Sequence, residues 1–217
     1  MTALLLTSYY LVSRSFFAYT GLAILISCLI FYFGDGSLHG IVALLVILLV
    51  SMPALEVVKH EGKSGYDKYV LTLPVSRNNI VQSHYFFYFI AVIIGTFLSF
   101  GIFQFYNLVS TTPTDDMLNT LSFGIFIVFF AGAIAYPLLY ILGSEKSDAI
   151  VLGGGMGGLI VTFGLQDLIG YIIEQPIFLN LNLDSSLLIS IIYIMFGIAF
   201  YIVSFIISTF IYNKKEF

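Results

Sequence analysis

The chain carries little charge: 8 Lys and Arg and 12 Asp and Glu in 217 residues, or 9%. A soluble domain carries about 25%, so a water-soluble globular fold is excluded. Disorder is excluded by the same scarcity, because disordered chains are polar and highly charged. A lone cysteine, Cys28, sits in an apolar run and rules out a disulfide framework or a cysteine metal cluster. The basic residues form no dense block and the net charge is −4, which excludes nucleic acid as an expected partner. No His-Glu-x-x-His spacing and no Gly-x-Ser-x-Gly elbow occurs, so nothing points to a zinc protease or a serine hydrolase. Tryptophan is absent, leaving tyrosine and phenylalanine to supply any interfacial belt.

What the chain does have is apolar bulk. Hydrophobic residues make up 59%, and the mean hydropathy is +1.03. Six apolar runs stand out: Phe16–Phe33, His39–Leu55, Ile80–Tyr106, Leu121–Leu142, Ala149–Leu165 and Leu187–Tyr212. None of the charged residues falls inside them. One mid-bilayer Asp, Lys or Arg costs about 2.5–3.5 kcal/mol on the insertion scale, so this segregation is what membrane spans require. The runs are continuous rather than alternating, which favours helices over barrel strands. The third run, as a helix, reaches about 40 Å and must tilt or project into water. The expected fold is an all-α integral membrane protein with six transmembrane helices.

Six spans place both termini on one side. All eight basic residues fall there: Arg14, Lys59, Lys63, Lys68, Arg77, Lys146, Lys214 and Lys215. The other side holds Asp35, Asp115, Asp116, Asp167, Glu174 and Asp184. The excess of Lys and Arg marks the cytoplasmic side, so both termini are expected in the cytoplasm of a multi-pass protein of the plasma membrane. Residues 1–12 lack the basic stretch and small-residue cleavage site of a signal peptide. Leu5, Tyr9, Val12 and Phe16 recur at helical spacing beside polar Thr7, Ser8 and Ser13. This pattern suggests a short amphipathic surface helix before the first span. No soluble stretch is long enough to form a second domain, so residues 1–217 read as one membrane domain, and any nucleotide-binding domain is expected on another chain.

The longest cytoplasmic segment is Glu56–Asn79. Within it Tyr66, Tyr69, Val70 and Leu73 form a helical stripe flanked by Glu61, Lys63, Asp67 and Lys68. Gly62 and Gly65 lie near its start, Pro74 ends it, and Ser76 is placed to cap the third span. The expected element is one amphipathic helix over about 61–73. Either it rests at the lipid interface or it docks into a partner protein. The mixed charges favour docking, since a membrane-binding helix is richer in Lys and Arg.

The run from Glu61-Gly62-Lys63-Ser64-Gly65-Tyr66 to Leu73-Pro74-Val75-Ser76-Arg77 resembles the signature of ABC-2 type transporter permeases. The six spans, the cytoplasmic termini and the surface helix resemble that family too. Within it the chain looks most like the permease subunits of bacterial exporters of phenol-soluble modulins, which are amphipathic peptides. The resemblance implies that residues 61–73 form a coupling helix seated in a groove of a separate ATPase subunit. Glu61, Gly65, Tyr66, Asp67, Lys68, Tyr69 and Leu73 would make that contact. ATP and Mg would be held by the ATPase, with no cofactor on this chain. A second permease copy or a paralogue would complete the transporter, with membrane lipid around it.

Other features stay open. The turn around Glu145 and Lys146 is either a solvated hairpin or a second cytoplasmic contact. Gly153, Gly154, Gly157 and Gly158 form two small-xxx-small pairs, suited to helix packing within one subunit, to a dimer face or to a hinge. The stretch Gln166–Pro176 reads as a short external helix, on the surface or re-entrant. His84 and Gln104, polar groups in the third run, suit interhelical hydrogen bonds. The aromatic cluster Tyr85–Phe89 suits an interfacial belt or a greasy wall for cargo. No cluster of polar residues at membrane depth supports an intramembrane enzyme. The expected cargo is an amphipathic or hydrophobic peptide or toxin; the alternatives are lipid, drug or bacteriocin-type cargo, or a non-transport immunity or assembly factor. A membrane-impermeant thiol label is expected to reach a cysteine placed at Lys63 only after the cells are permeabilised, and one placed at Asp115 without it. The reverse pattern would overturn the span count.

Overall fold

The computed structural model describes residues 2–34, 39–109, 117–173 and 184–215. Each apolar run lies in one long helix. These are α1 (Thr2–Phe33), α2 (His39–Ser64), α4 (Arg77–Val109), α5 (Met117–Leu142), α6 (Ser147–Ile173) and α7 (Ser185–Lys214), with a one-turn helix α3 (Tyr66–Tyr69) between α2 and α4. The six long helices are all long and apolar enough to cross a membrane. The bundle divides into two halves. In one, α2 packs along α1 and α4; in the other, α5 packs along α6 and α7. Contacts of α2 with α5 and of α4 with α7 join them. The most enclosed helices are therefore α2 and α5.

Several boundaries differ from the apolar runs. The expected surface helix before the first span is not a separate element: residues 2–33 form one helix. No Gly or Pro interrupts its first 19 residues, so nothing breaks the backbone there. Its buried stripe is Leu4, Ser8, Val12, Ala23 and Ser27, flanked by partly buried Leu5, Leu11, Phe16, Ile30 and Phe31. Ser8 and Ser27 donate to the carbonyls four residues back, which satisfies their hydroxyls without a neighbour. Likewise α6 runs without a break through Leu165 to Ile173, so Gln166–Ile173 continues the span; residues 174–183 lie outside the described residues.

The core is aromatic with polar tips. Tyr85, Tyr88, Tyr136 and Tyr201 stack among α4, α5 and α7 with ring centres 4.6–5.8 Å apart. In a dry interior each hydroxyl needs a partner, and each has one. The Tyr88 hydroxyl donates to the Val128 carbonyl at 2.7 Å and the Tyr201 hydroxyl to the Tyr85 carbonyl at 2.8 Å. The Tyr136 hydroxyl meets the carbonyls of His84 and Ala54, reaching α4 and α2. Tyr85 and Tyr88 are thus interior groups and not part of a belt, whereas Phe86 between them is exposed.

Pro137 sits inside α5. It deprives the Ala133 carbonyl of its helical donor. Ser204 on α7 donates to that carbonyl at 2.6 Å, replacing the lost bond from outside the helix. One turn away, Gly132 lets α5 approach Tyr88. A Cβ there would stand 2.5 Å from the Tyr88 ring, which is fully buried and tethered by its hydroxyl. Gly132→Ala is therefore expected to destabilise the bundle by about 1–3 kcal/mol through overpacking. Thermal unfolding in mild detergent checks this; an unchanged midpoint would contradict the packing described.

Candidate functional site

The basic end of the bundle is built around the α2–α4 connection. Helix α2 does not stop at Leu55, where the apolar run ends, but continues to Ser64. Gly65 then turns the chain with φ 72° and ψ 9°, a left-handed conformation that favours glycine. Its carbonyl accepts the N–H groups of Lys68 and Tyr69 at 3.2 Å, starting the single turn α3. A 3-10 turn, Val70–Thr72, follows, and Leu73 is extended ahead of Pro74. The expected single helix over 61–73 is therefore two pieces with a bend at Gly65. Ser76 caps α4, its Oγ accepting the Asn79 N–H at 3.3 Å.

The bend redistributes the expected contact residues. Lys63, Lys68 and Tyr69 face outward, with Tyr69 58% exposed. Tyr66, Asp67 and Leu73 are half-buried, and Val70, from the same stripe, is buried in the core. Glu61 is not part of the exposed surface at all: it is 6% exposed, with its Oε2 3.0 Å from His84 Nε2. His84 Nδ1 lies 2.8 Å from the Tyr140 hydroxyl. One imidazole thus ties α2 to α5 across α4. An adjoining cavity of about 140 Å³ is lined by Glu61, Asp67, His84, Tyr140, Tyr212 and Lys215.

Side-chain bonds gather the other helices at this end. The Tyr19 hydroxyl on α1 donates to Glu56 Oε1 on α2 at 3.1 Å. Lys59 on α2 pairs with Asp148 at the start of α6. The turn Ser144–Lys146 lies against α2, and its Glu145 and Lys146 side chains are exposed. Arg77, on the first turn of α4, donates to the carbonyls of Tyr212, Asn213 and Lys215 at 3.4, 3.1 and 2.8 Å. These are among the carbonyls that a helix end leaves without intrahelical partners. Lys215 Nζ in turn donates to the Tyr140 carbonyl at 2.9 Å.

The glycines of α6 separate into two faces. A Cβ on Gly154 or Gly158 would stand 3.0 Å from the carbonyl oxygen of Ala131 or Ile127, so this pair is where α6 lies closest to α5. Gly157 is looser, 3.5 Å from Ile134, and Gly153 faces open space beside exposed Leu152 and Met156. The helix is unbroken across all of them.

The molecule is a bundle of six membrane-length helices with an exposed bend between the second and third. The family model described as ABC-2 family transporter protein matches residues 3–213, and the chain belongs to that family. It is a membrane component of an ABC transporter, a family whose permeases work with ABC ATPase subunits. No curated protein and no solved structure matches the chain.

Sequence reasoning placed Glu61 on the exposed loop and missed its burial. The available signal was spacing: Glu61 follows Glu56 and Val57 without a helix breaker, so α2 could extend through it. Tyr140 and Arg77 were missed as well; each is a polar residue at the edge of an apolar run. Replacing Arg77 by Ala is expected to loosen the last turn of α7. Hydrogen exchange at the amides of 211–215 should quicken at least about fivefold, consistent with losing charge-assisted bonds, while amides of the central turns of α4 stay unchanged. Uniform acceleration along α4 would contradict a local role.

Proposed function

We propose that the chain is the permease subunit of an ATP-driven exporter of amphipathic or hydrophobic peptides. It works with two separate ATPase chains and a second permease, in a bacterial plasma membrane, with the basic end facing the cytoplasm. The observation that carries this reading is the family match across residues 3–213, joined to the exposed bend at Gly65. Lys63, Lys68 and Tyr69 stand outward on that bend and form the coupling surface for the ATPase. Glu145 and Lys146, on the turn packed against α2, offer a second contact beside it.

The cargo class is supported by the walls of the bundle. At the end away from the loop, α1 and α4 enclose a recess of about 630 Å³ lined by Cys28, Phe31, Phe97, Phe105 and Tyr106 among others. The lining is apolar and aromatic, with no formal charge. Such a wall suits a greasy peptide face and offers nothing to a small polar solute. The open face of α6 around Gly153 is a candidate contact for the second permease.

The test uses the full chain and an ABC ATPase recovered with it from cells in mild detergent. Tyr69→Ala is expected to leave insertion and melting unchanged and to weaken ATPase binding about thirtyfold, the loss of an aromatic interface anchor worth about 2 kcal/mol. Binding of the ATPase to the wild-type chain in detergent, followed by titration, measures it. A wild-type chain that transports peptide without any ATPase would sink the reading.

A further inference from the structure

Glu61 is a buried carboxylate in a chain that has few charges to spare. It lies on the last turn of α2, just before the bend at Gly65. The carboxylate meets His84 on α4, and His84 meets Tyr140 on α5, at 3.0 and 2.8 Å. A buried carboxyl–imidazole pair is a poor source of stability: apolar residues of the same volume commonly do as well as or better than buried polar pairs, and register-setting or switching is the best-attested use of such pairs. The surroundings provide for two arrangements. The adjoining cavity of about 140 Å³ holds space for water, and its walls include the half-buried Asp67, the Tyr212 ring and Lys215. Beyond Glu61, the chain bends at the left-handed residue Gly65 into the turn that carries exposed Lys68 and Tyr69, with Val70 buried in the core just after it.

We propose that Glu61, His84 and Tyr140 form a latch linking the position of the exposed loop to the packing of α2, α4 and α5. Glu61 is its positioning residue. The proposal rests on the reading of the loop as the ATPase contact. A displaced loop pulls on the end of α2. Because one imidazole is bonded to two other helices, that pull either carries α4 and α5 along or frees the carboxylate into the cavity. There the walls are polar, with Lys215, whose Nζ is bonded to the Tyr140 carbonyl at 2.9 Å, and Asp67 both in the lining. The latch thereby has a closed state and a released state, and the loop selects between them.

The experiment compares wild type, Glu61→Gln, Tyr140→Phe and the exchanged pair Glu61→His with His84→Glu, each assembled with the same ABC ATPase. For Glu61→Gln, insertion, melting temperature and ATPase binding should stay at wild-type levels while stimulated ATP hydrolysis falls about tenfold, in line with losing a charge-assisted bond. Tyr140→Phe, which removes one hydroxyl, should lower stimulation less, and the exchanged pair should recover much of it. A purely structural pair would instead lower melting and assembly in parallel with activity. Full stimulation by Glu61→Gln, or a fall that only tracks lost complex, overturns the latch and leaves the loop contact standing. If Glu61→Gln does not insert, unchanged stimulation by Tyr140→Phe overturns the latch. A wild-type chain that neither binds nor stimulates the ATPase overturns both.

Discussion

Polar side chains in the core of this bundle are met mostly inside the protein, the tyrosines by bonds to other helices and most serines by a carbonyl of their own helix. A hydroxyl or carbonyl stranded in an apolar interior costs several kcal/mol on transfer scales. The tyrosines of α4, α5 and α7 meet that cost with bonds that cross helix boundaries: Tyr136 to α2 and α4, Tyr201 to α4, Tyr85 to Ser204 and Ser208. Apolar packing alone is indifferent to rotation, since lipid tails are as greasy as leucine. The directional bonds set which face of each helix looks inward. Mutual burial of α2 and α5 follows from that choice.

The same requirement divides the molecule into a fixed part and a freer part. The centre, where α2, α4, α5 and α7 meet, is held by side-chain bonds. By contrast, α1 presents mostly small or aliphatic residues inward and much exposed bulk outward, and α6 meets α5 through the bare backbone at Gly154 and Gly158. These two outer helices are where the chain has most surface left for lipid, for cargo or for another subunit. Near the basic end Glu61, His84 and Tyr140 tie α2, α4 and α5 together beneath the exposed loop, which bends at Gly65.

Much of this was legible in the residues. Continuous apolar runs free of charge specify spans without reference to tertiary contacts, because bilayer thickness and hydropathy act on each segment alone. All six runs fall inside the six long helices. Helix ends were less legible. Ser76, at the start of α4, was readable, but α2 continues past Leu55 to Ser64 before Gly65 turns the chain, with Lys59 paired to Asp148 of α6, a partner that sequence alone does not supply. The partnership of Glu61 with His84 could not be read, because nothing local to either residue encodes the register of two helices. Tyr85 and Phe86 show the same limit: adjacent aromatics look alike in the chain, and only packing sends one inward and the other out.

Pro137 has a consequence for biogenesis. Spans enter a membrane in chain order, so α5 is in place before α7. Until α7 arrives, the Ala133 carbonyl that the proline leaves free has no hydroxyl from Ser204 to accept. The Tyr85 hydroxyl waits for Ser204 and Ser208 of the same helix. A nascent chain with five helices inserted is therefore topologically nearly complete but chemically unfinished at the face where the Ala133 carbonyl and the Tyr85 hydroxyl meet α7. Docking of the sixth span closes them together, which makes assembly a concerted final step rather than a gradual accretion.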